Sequence, residues 1–132
     1  MAIDTREFTA NEAWLLFQLS SAPIKTEADG DFDAIAIMDV ASGLIYGMEL
    51  VSVGGAGISE FQSRKLVSSA ESKAGSRPSV LFIPSNCEAN HLAVVAGKMG
   101  ISVEKVPKSE CSQLIKEAVD SFAAYVSGNN ST

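Results

Sequence analysis

The chain is short of the residue types on which most enzyme chemistry rests. Its 132 residues include one histidine (His91), two cysteines (Cys87 and Cys111), one tryptophan (Trp14) and ten basic residues against sixteen acidic ones. Two cysteines are too few for a disulfide scaffold and fit a reduced, cytoplasmic protein better than a secreted one. The net charge of −6 and the scatter of the basic residues, densest at Arg64–Lys65, argue against nucleic acid as a partner, because phosphate affinity is built on clustered Lys and Arg. Equally, no carboxylate stripe is present of the kind a nucleic-acid mimic would need. Met-Ala-Ile-Asp-Thr-Arg at the start carries no apolar h-region, and no apolar run approaches a membrane span, so no membrane partner is expected.

What is there is core material. Hydrophobic residues make up 46% of the chain and charged residues 20%, enough to bury one core and too little chain for two. We read a single domain over 1–126, followed by a polar, frayed tail over 127–132.

Caps, breakers and periodicity divide that domain. Thr9-Ala-Asn-Glu12 has the spacing of a capping box, and with Trp14, Leu15, Phe17 and Leu19 it predicts a short apolar helix ending before Pro23. Lys25 to Asp31 reads as a loop. Phe32–Asp39, apolar without alternation at Ala34–Met38, predicts a strand buried on both faces. Val40–Gly43 has turn chemistry, and Leu44–Val53 is the return strand of a hairpin. After the break Gly54-Gly-Ala-Gly57, Ser59-Glu-Phe-Gln62 caps a helix that stops at Gly75. A strand over 79–83 comes next, then Ser85-Asn-Cys-Glu88 as a third capping box, with a helix bearing Leu92, Val95, Ala96 and Met99. Ile101–Val106 is the last strand. Ser109 caps the last helix, whose stripe is Leu114, Ile115, Ala118, Val119 and Phe122. The order is α-β-β-α-β-α-β-α, an α/β fold with a mixed four-stranded sheet and one antiparallel hairpin strand.

Strand directions locate the one edge where a site is expected. The helix over 59–75 is roughly 25 Å long and crosses the sheet, which makes 44–53, 79–83 and 101–106 parallel. Their carboxyl ends then share an edge with three helix N-termini, the usual binding edge of open α/β sheets. Gly54, Gly55 and Gly57 would let a backbone approach an anion there, although they lack P-loop or dinucleotide spacing and suit a plain turn. Ser59, Ser85 and Ser109 would line the edge, although capping alone accounts for them. Asn86 and Cys87 come directly after Ser85. Cys87 falls where a helix dipole favours thiolate, with His91 four residues on; a buried, inert cysteine is the plainer reading. Cys111 occupies a similar place on the next helix. The spacings of Cys87, His91 and Cys111 do not match a zinc site, and no catalytic residue, metal or cofactor is assigned. Asp29, Asp31 and Asp33 are a solvated lead-in to a strand rather than a calcium loop.

The segment from Phe32 to Val106 resembles part of a ribonuclease H-like fold, as in retroviral integrase cores. The resemblance lies in Asp39-Val-Ala-Ser-Gly-Leu-Ile-Tyr leading into a strand, a Ser-capped helix, Leu-Phe-Ile-Pro-Ser-Asn and a further helix. It implies a three-layer domain, Rossmann-like or ribonuclease H-like. It also implies an acidic residue on the strand before the hairpin and a second where this chain has Ser85. Here the first region reads as the loop 24–31, so the resemblance implies the scaffold without the two-metal chemistry.

The leading functional expectation is a non-enzymatic interaction module that binds a protein partner or itself, with the apolar N-terminal helix as a dimerisation surface. The alternatives are a small anionic-ligand binder or enzyme using the carboxyl edge with Cys87, and a catalytically dead nuclease-like domain.

Overall fold

The computed structural model describes residues 8–19, 24–25, 30–52, 58–85 and 89–130, with side chains described for all of these except 24–25 and 121–130. The first element is a strand and not a helix. Thr9–Glu12 forms a turn in which the Glu12 amide donates to the Thr9 carbonyl (3.1 Å) and Glu12 Oε1 accepts from the Thr9 amide (2.9 Å). β1 comes next, over Ala13–Gln18. The physical reason is the pattern: five successive buried residues cannot share one stripe of a helix, whereas a strand sends alternate residues to opposite faces. Trp14 and Leu16 enter one core cluster, while Ala13, Leu15, Phe17 and Leu19 enter the other. The surface expected for dimerisation is therefore the centre of the sheet, with Trp14 fully buried.

A two-residue strand, β2 (Ile24–Lys25), lies within the region expected to be loop and pairs with the start of β3 (Asp31–Asp39). β3 returns into β4 (Ile45–Ser52) through a turn at Val40–Gly43, as expected. A register shift between Ile37 and Met38 lets Tyr46 join the cluster of Trp14, whose ring it meets edge-on at 5.9 Å. Next come α1 (Glu60–Ala74), β5 (Val80–Pro84), α2 (Asn90–Lys98), β6 (Ser102–Val106) and α3 (Lys108–Asn130). Ser59 caps α1 with a full capping box, and Gly75 closes it in the left-handed region at φ 87°. α2 instead starts at Asn90 with Ala89 as a cap that makes no side-chain bond, so Ser85 is not its N-cap. Nor does Ser109 cap α3, which begins one residue earlier at Lys108. α3 continues past Val126 to Asn130, so the helix enters the segment read as a frayed tail.

The sheet runs β4-β3-β1-β5-β6, with β2 beside β3 on the β1 side. β3 is antiparallel to β1 and β4, while β1, β5 and β6 are parallel. β4, β5 and β6 thus run one way, as their connections require. The architecture is α/β in three layers, and β1 adds one long strand to those expected. α1 and α2 cover the face holding Trp14, Leu16, Ile37, Leu66, Leu81 and Leu92. α3 packs Leu114, Ile115 and Ala118 on the face of Leu15, Phe17, Met38 and Phe82. Phe8 meets Phe82 there, with ring centroids 5.9 Å apart. Gly47 lets α1 approach β4 closely: a Cβ there would stand 3.2 Å from Leu66 Cδ1 and 3.4 Å from the Leu66 carbonyl oxygen. Among the described residues, no helix is long and apolar enough to cross a membrane.

Candidate functional site

The carboxyl edge of the sheet carries Gln18 at the end of β1, Ser52 at the end of β4, Ser85 just after β5 and Pro107 just after β6, with Asp31 and Asp33 at the start of β3. Gln18 Nε2 lies 3.4 Å from Asp33 Oδ1, a long bond between exposed groups. The Ser85 amide donates to the Val106 carbonyl (2.7 Å), tying the ends of β5 and β6 together.

Gly54, Gly55, Gly57, Asn86 and Cys87 lie outside the described residues. The five other candidates are each placed, and no hydrogen bond joins any two of them. Ser59 Oγ accepts from the Gln62 amide (3.1 Å) as a helix cap. Ser85 is exposed, and His91 is exposed in the first turn of α2. Ser109 lies in the first turn of α3, where its carbonyl accepts from Ser112 Oγ (3.3 Å). Cys111 is fully buried among apolar side chains, its thiol turned to the Lys108 carbonyl at 3.4 Å. Burial pushes that thiol pKa up, disfavouring the thiolate that a nucleophile or metal ligand needs.

The best-organised polar cluster sits at the other end of the sheet. Asp39 is fully buried and accepts from the Asn11 amide (2.9 Å), the Ser42 amide (3.2 Å) and Ser42 Oγ (2.6 Å). Asn11 holds a left-handed backbone at φ 64° and uses its side chain twice. Its Oδ1 accepts from the Trp14 indole (2.7 Å), and its Nδ2 donates to Ser76, to the carbonyl at 3.1 Å. Every polar group named there has a partner, which marks a structural clamp rather than a site awaiting a ligand. The sequence reading missed it, although Asp39-x-x-Ser42 at a turn is a signal for a side chain closing its own loop. Beside this end a cleft of about 330 Å³ opens between the β3–β4 turn and α3, lined by Met38, Val40, Ile45 and Leu114 among others.

The third feature is β4 itself, an edge strand paired only with β3 among the described residues. Of the large hydrophobics exposed in the described residues, Leu44 (61%), Met48 (47%) and Leu50 (42%) lie on or just before β4, and Phe61 (71%) is on α1 beside it. α1 is anchored to the same strand through Gln62 Nε2, which donates to the Leu50 carbonyl (2.6 Å), and through the Lys65–Glu49 ion pair (3.1 Å). Lys65 Nζ also lies 5.7 Å from the centre of the Phe61 ring.

No protein-family model and no curated protein matches the chain. Solved structures do. The HTLV-2 integrase catalytic core domain in complex with magnesium, in its dimeric form, aligns with a TM-score of 0.53 at 10% identity, covering 77% of this chain and 64% of that one. A simian T-cell lymphotropic virus intasome in complex with the PP2A regulatory subunit B56 gamma aligns at 0.52 and 13% identity, covering 92% of this chain and 43% of that one. This chain thus spans under two thirds of the length of the integrase chains it resembles.

The fold also corrects where the first acid would stand. The strand before the hairpin is β1, not the segment 24–31, and Ala13–Gln18 contains no carboxylate. Gln18 at the end of β1 and Ser85 after β5 are not the paired carboxylates that hold divalent cations in two-metal sites. Among the described residues, no group of three or more His, Cys, Asp or Glu side chains converges. The chain has the ribonuclease H-like fold of retroviral integrase cores, with no carboxylate on β1 and a serine at position 85, the two places where the resemblance implies acids.

Proposed function

We propose that this domain is a non-enzymatic protein-interaction module, a ribonuclease H-like scaffold that has given up nuclease chemistry and works through the β4 edge. The observation that carries this reading is the exposure of Met48 and Leu50 side by side on one face of an edge strand, with Leu44 just before it and Phe61 on the helix over the opposite face. Adjacent apolar side chains exposed on an unpaired strand edge point to a contact site more strongly than hydrophobics exposed singly. The missing carboxylates on β1 and at Ser85 support the non-catalytic half of the proposal. A cytoplasmic setting suits it, since the buried Cys111 is a free thiol.

Site-specific photocrosslinking in cells tests the reading. With p-benzoylphenylalanine in place of Phe61, the chain should form discrete higher-mass adducts that are absent when the probe replaces Ser72, which is exposed near the C-terminal end of α1 beside Gly75 and Arg77. Equal adducts from both positions, or none from position 61, would remove the reading. Metal-dependent cleavage of single- or double-stranded nucleic acid by the purified chain would remove its non-enzymatic half.

The competing proposal, an anionic ligand at the carboxyl edge, would draw on Gly54, Gly55, Gly57, Ser59, Ser85, Asn86, Cys87, His91, Ser109 and Cys111. Iodoacetamide titration of Cys87 against pH reads its reactive version: alkylation with an ordinary thiol pKa ends it.

A further inference from the structure

We infer that the outer edge of β4 takes up an extended, apolar segment of a partner protein as an added strand; this deepens the interaction-module reading and rests on it. Strand parity supplies the first argument. The Ala34 carbonyl accepts from the Leu19 amide (2.7 Å), so Ala34 directs its backbone toward the β1 side of β3. Its β4 partner Leu50 is then in a non-hydrogen-bonded pair, and so is Met48 opposite Ala36. The backbone N–H and C=O groups of Met48 and Leu50 therefore face away from the sheet. These two residues are also the large hydrophobics exposed on β4. An incoming strand would meet backbone donors, backbone acceptors and apolar side chains at the same two positions, the combination on which strand addition depends.

The edge also limits the register. The Leu50 carbonyl is already taken by Gln62 Nε2 at 2.6 Å, and the irregularity at Tyr46 interrupts the ladder on the other side. Among the described residues, what remains is the Met48 N–H and C=O, the Leu50 N–H and the outward backbone of Ser52, which shares their parity opposite Phe32, a short docking length. Bound there, a segment with apolar residues at alternate positions would cover Met48 and Leu50 with one face and approach Phe61 with the other.

Area and charge select the occupant. At about 200 Å² for a fully exposed large side chain, Met48 and Leu50 together expose about 180 Å². That is roughly a quarter of the 800 Å² that each partner contributes to a standard stable interface. Two copies of a chain with net charge −6 would in addition repel. A single extended segment needs less area than a second copy, and the Lys65–Glu49 pair leaves the rim close to neutral.

Fluorescence anisotropy of the full chain with a fluorescein-labelled decapeptide, alternating valine and threonine with lysine at each end, provides the test. Binding to the wild type is expected, weakened at least tenfold by Met48→Pro. Proline at this position deletes the outward N–H and takes no hydrogen bond from β3, so the fold should survive, as Trp14 emission will report. The same peptide N-methylated at alternate amides should also bind at least tenfold more weakly, a control that requires no change in the protein. Binding of the N-methylated peptide as tightly as its parent overturns strand addition while leaving a side-chain contact surface intact. No binding of the parent peptide to the wild type overturns the inference outright. A concentration-dependent dimer abolished by Met48→Pro would assign the edge to a second copy and overturn the peptide occupant. If the peptide binds as expected but Phe61 yields no adducts in cells, the interaction-module reading fails and the edge chemistry stands.

Discussion

Replacing Asp39 with alanine should be among the most damaging single changes in the molecule. The carboxylate is fully buried and accepts three hydrogen bonds, from the Asn11 amide, the Ser42 amide and Ser42 Oγ. Hydrogen bonds to a charged group contribute about 1.5–3 kcal/mol each, and their buried donors cost about 1–3 kcal/mol apiece when stranded. These contributions overlap, because Ser42 can turn toward solvent and water can reach the shortened side chain. A net loss of about 3–5 kcal/mol is the working figure, against a total stability of about 5–15 kcal/mol for a domain of this kind. The chain carries its own reporter: Trp14 is the sole tryptophan, is buried, and donates its indole N–H to the same Asn11. Urea unfolding followed by Trp14 emission should show the midpoint falling by about 2 M, taking a slope near 2 kcal/mol/M. Asp39→Asn should fall between wild type and alanine, since an amide keeps the volume but turns one donor toward donors. Asp31→Ala, at an exposed position on the same strand, should stay within about 0.5 kcal/mol. A shift below about 0.5 M for Asp39→Ala would refute the reasoning, because it would mean that water already satisfies the cluster.

Three further outcomes are expected. Gly47→Val should destabilise by about 1–3 kcal/mol, read by thermal melting, because its Cβ would press on Leu66 while the added methyls find no room between β4 and α1. Ser59→Ala should cost about 1 kcal/mol in the same assay through the lost cap of α1. Burial holds the folded Cys111 thiol above its ordinary value of 9.0. Its contribution is therefore complete below the unfolded pKa and lost as pH climbs through the raised one. Stability should decline in alkali, and Cys111→Ala should flatten that decline; an unchanged pH profile in the variant would show that the thiol plays no part.

How much was legible depended on whether a signal was tied to one structure. The pattern S/T-x-x-E/Q reads as a cap at Thr9, Ser59 and Ser85 (a further match at Ser68 falls inside α1), and only Ser59 proved to cap a helix. Thr9–Glu12 uses the same side-chain bonds to close a turn before a strand, because the box reports exposed amides and not the type of element beyond them. The unbroken apolar run at Trp14–Leu19 held the information needed. The same pattern at Ala34–Met38 reads as a doubly buried strand, and both are. Hairpin, crossovers and strand directions were readable because their turn residues and lengths leave few topologies. The β4 edge was not, since exposure of Met48 and Leu50 depends on where α3 packs, a long-range fact that local pattern does not carry. The clamp at Asp39 joins residues 11, 14, 39, 42 and 76, and no window along the chain spans them.

The central place of β1 also imposes an order on synthesis. Its six residues emerge early, yet one of their two flanking neighbours is β5, more than sixty residues later in the chain. Pairing with β3 is available soon after residue 39 leaves the ribosome, but the other side of this apolar strand waits for Val80–Phe82. At about 5–20 residues per second that wait lasts several seconds, long on the scale of hydrophobic collapse and ample for aggregation. A nascent chain stalled before residue 80 would therefore expose Ala13–Phe17 as an open sheet edge, and the yield of this protein should depend on chaperone capacity more than its final stability suggests.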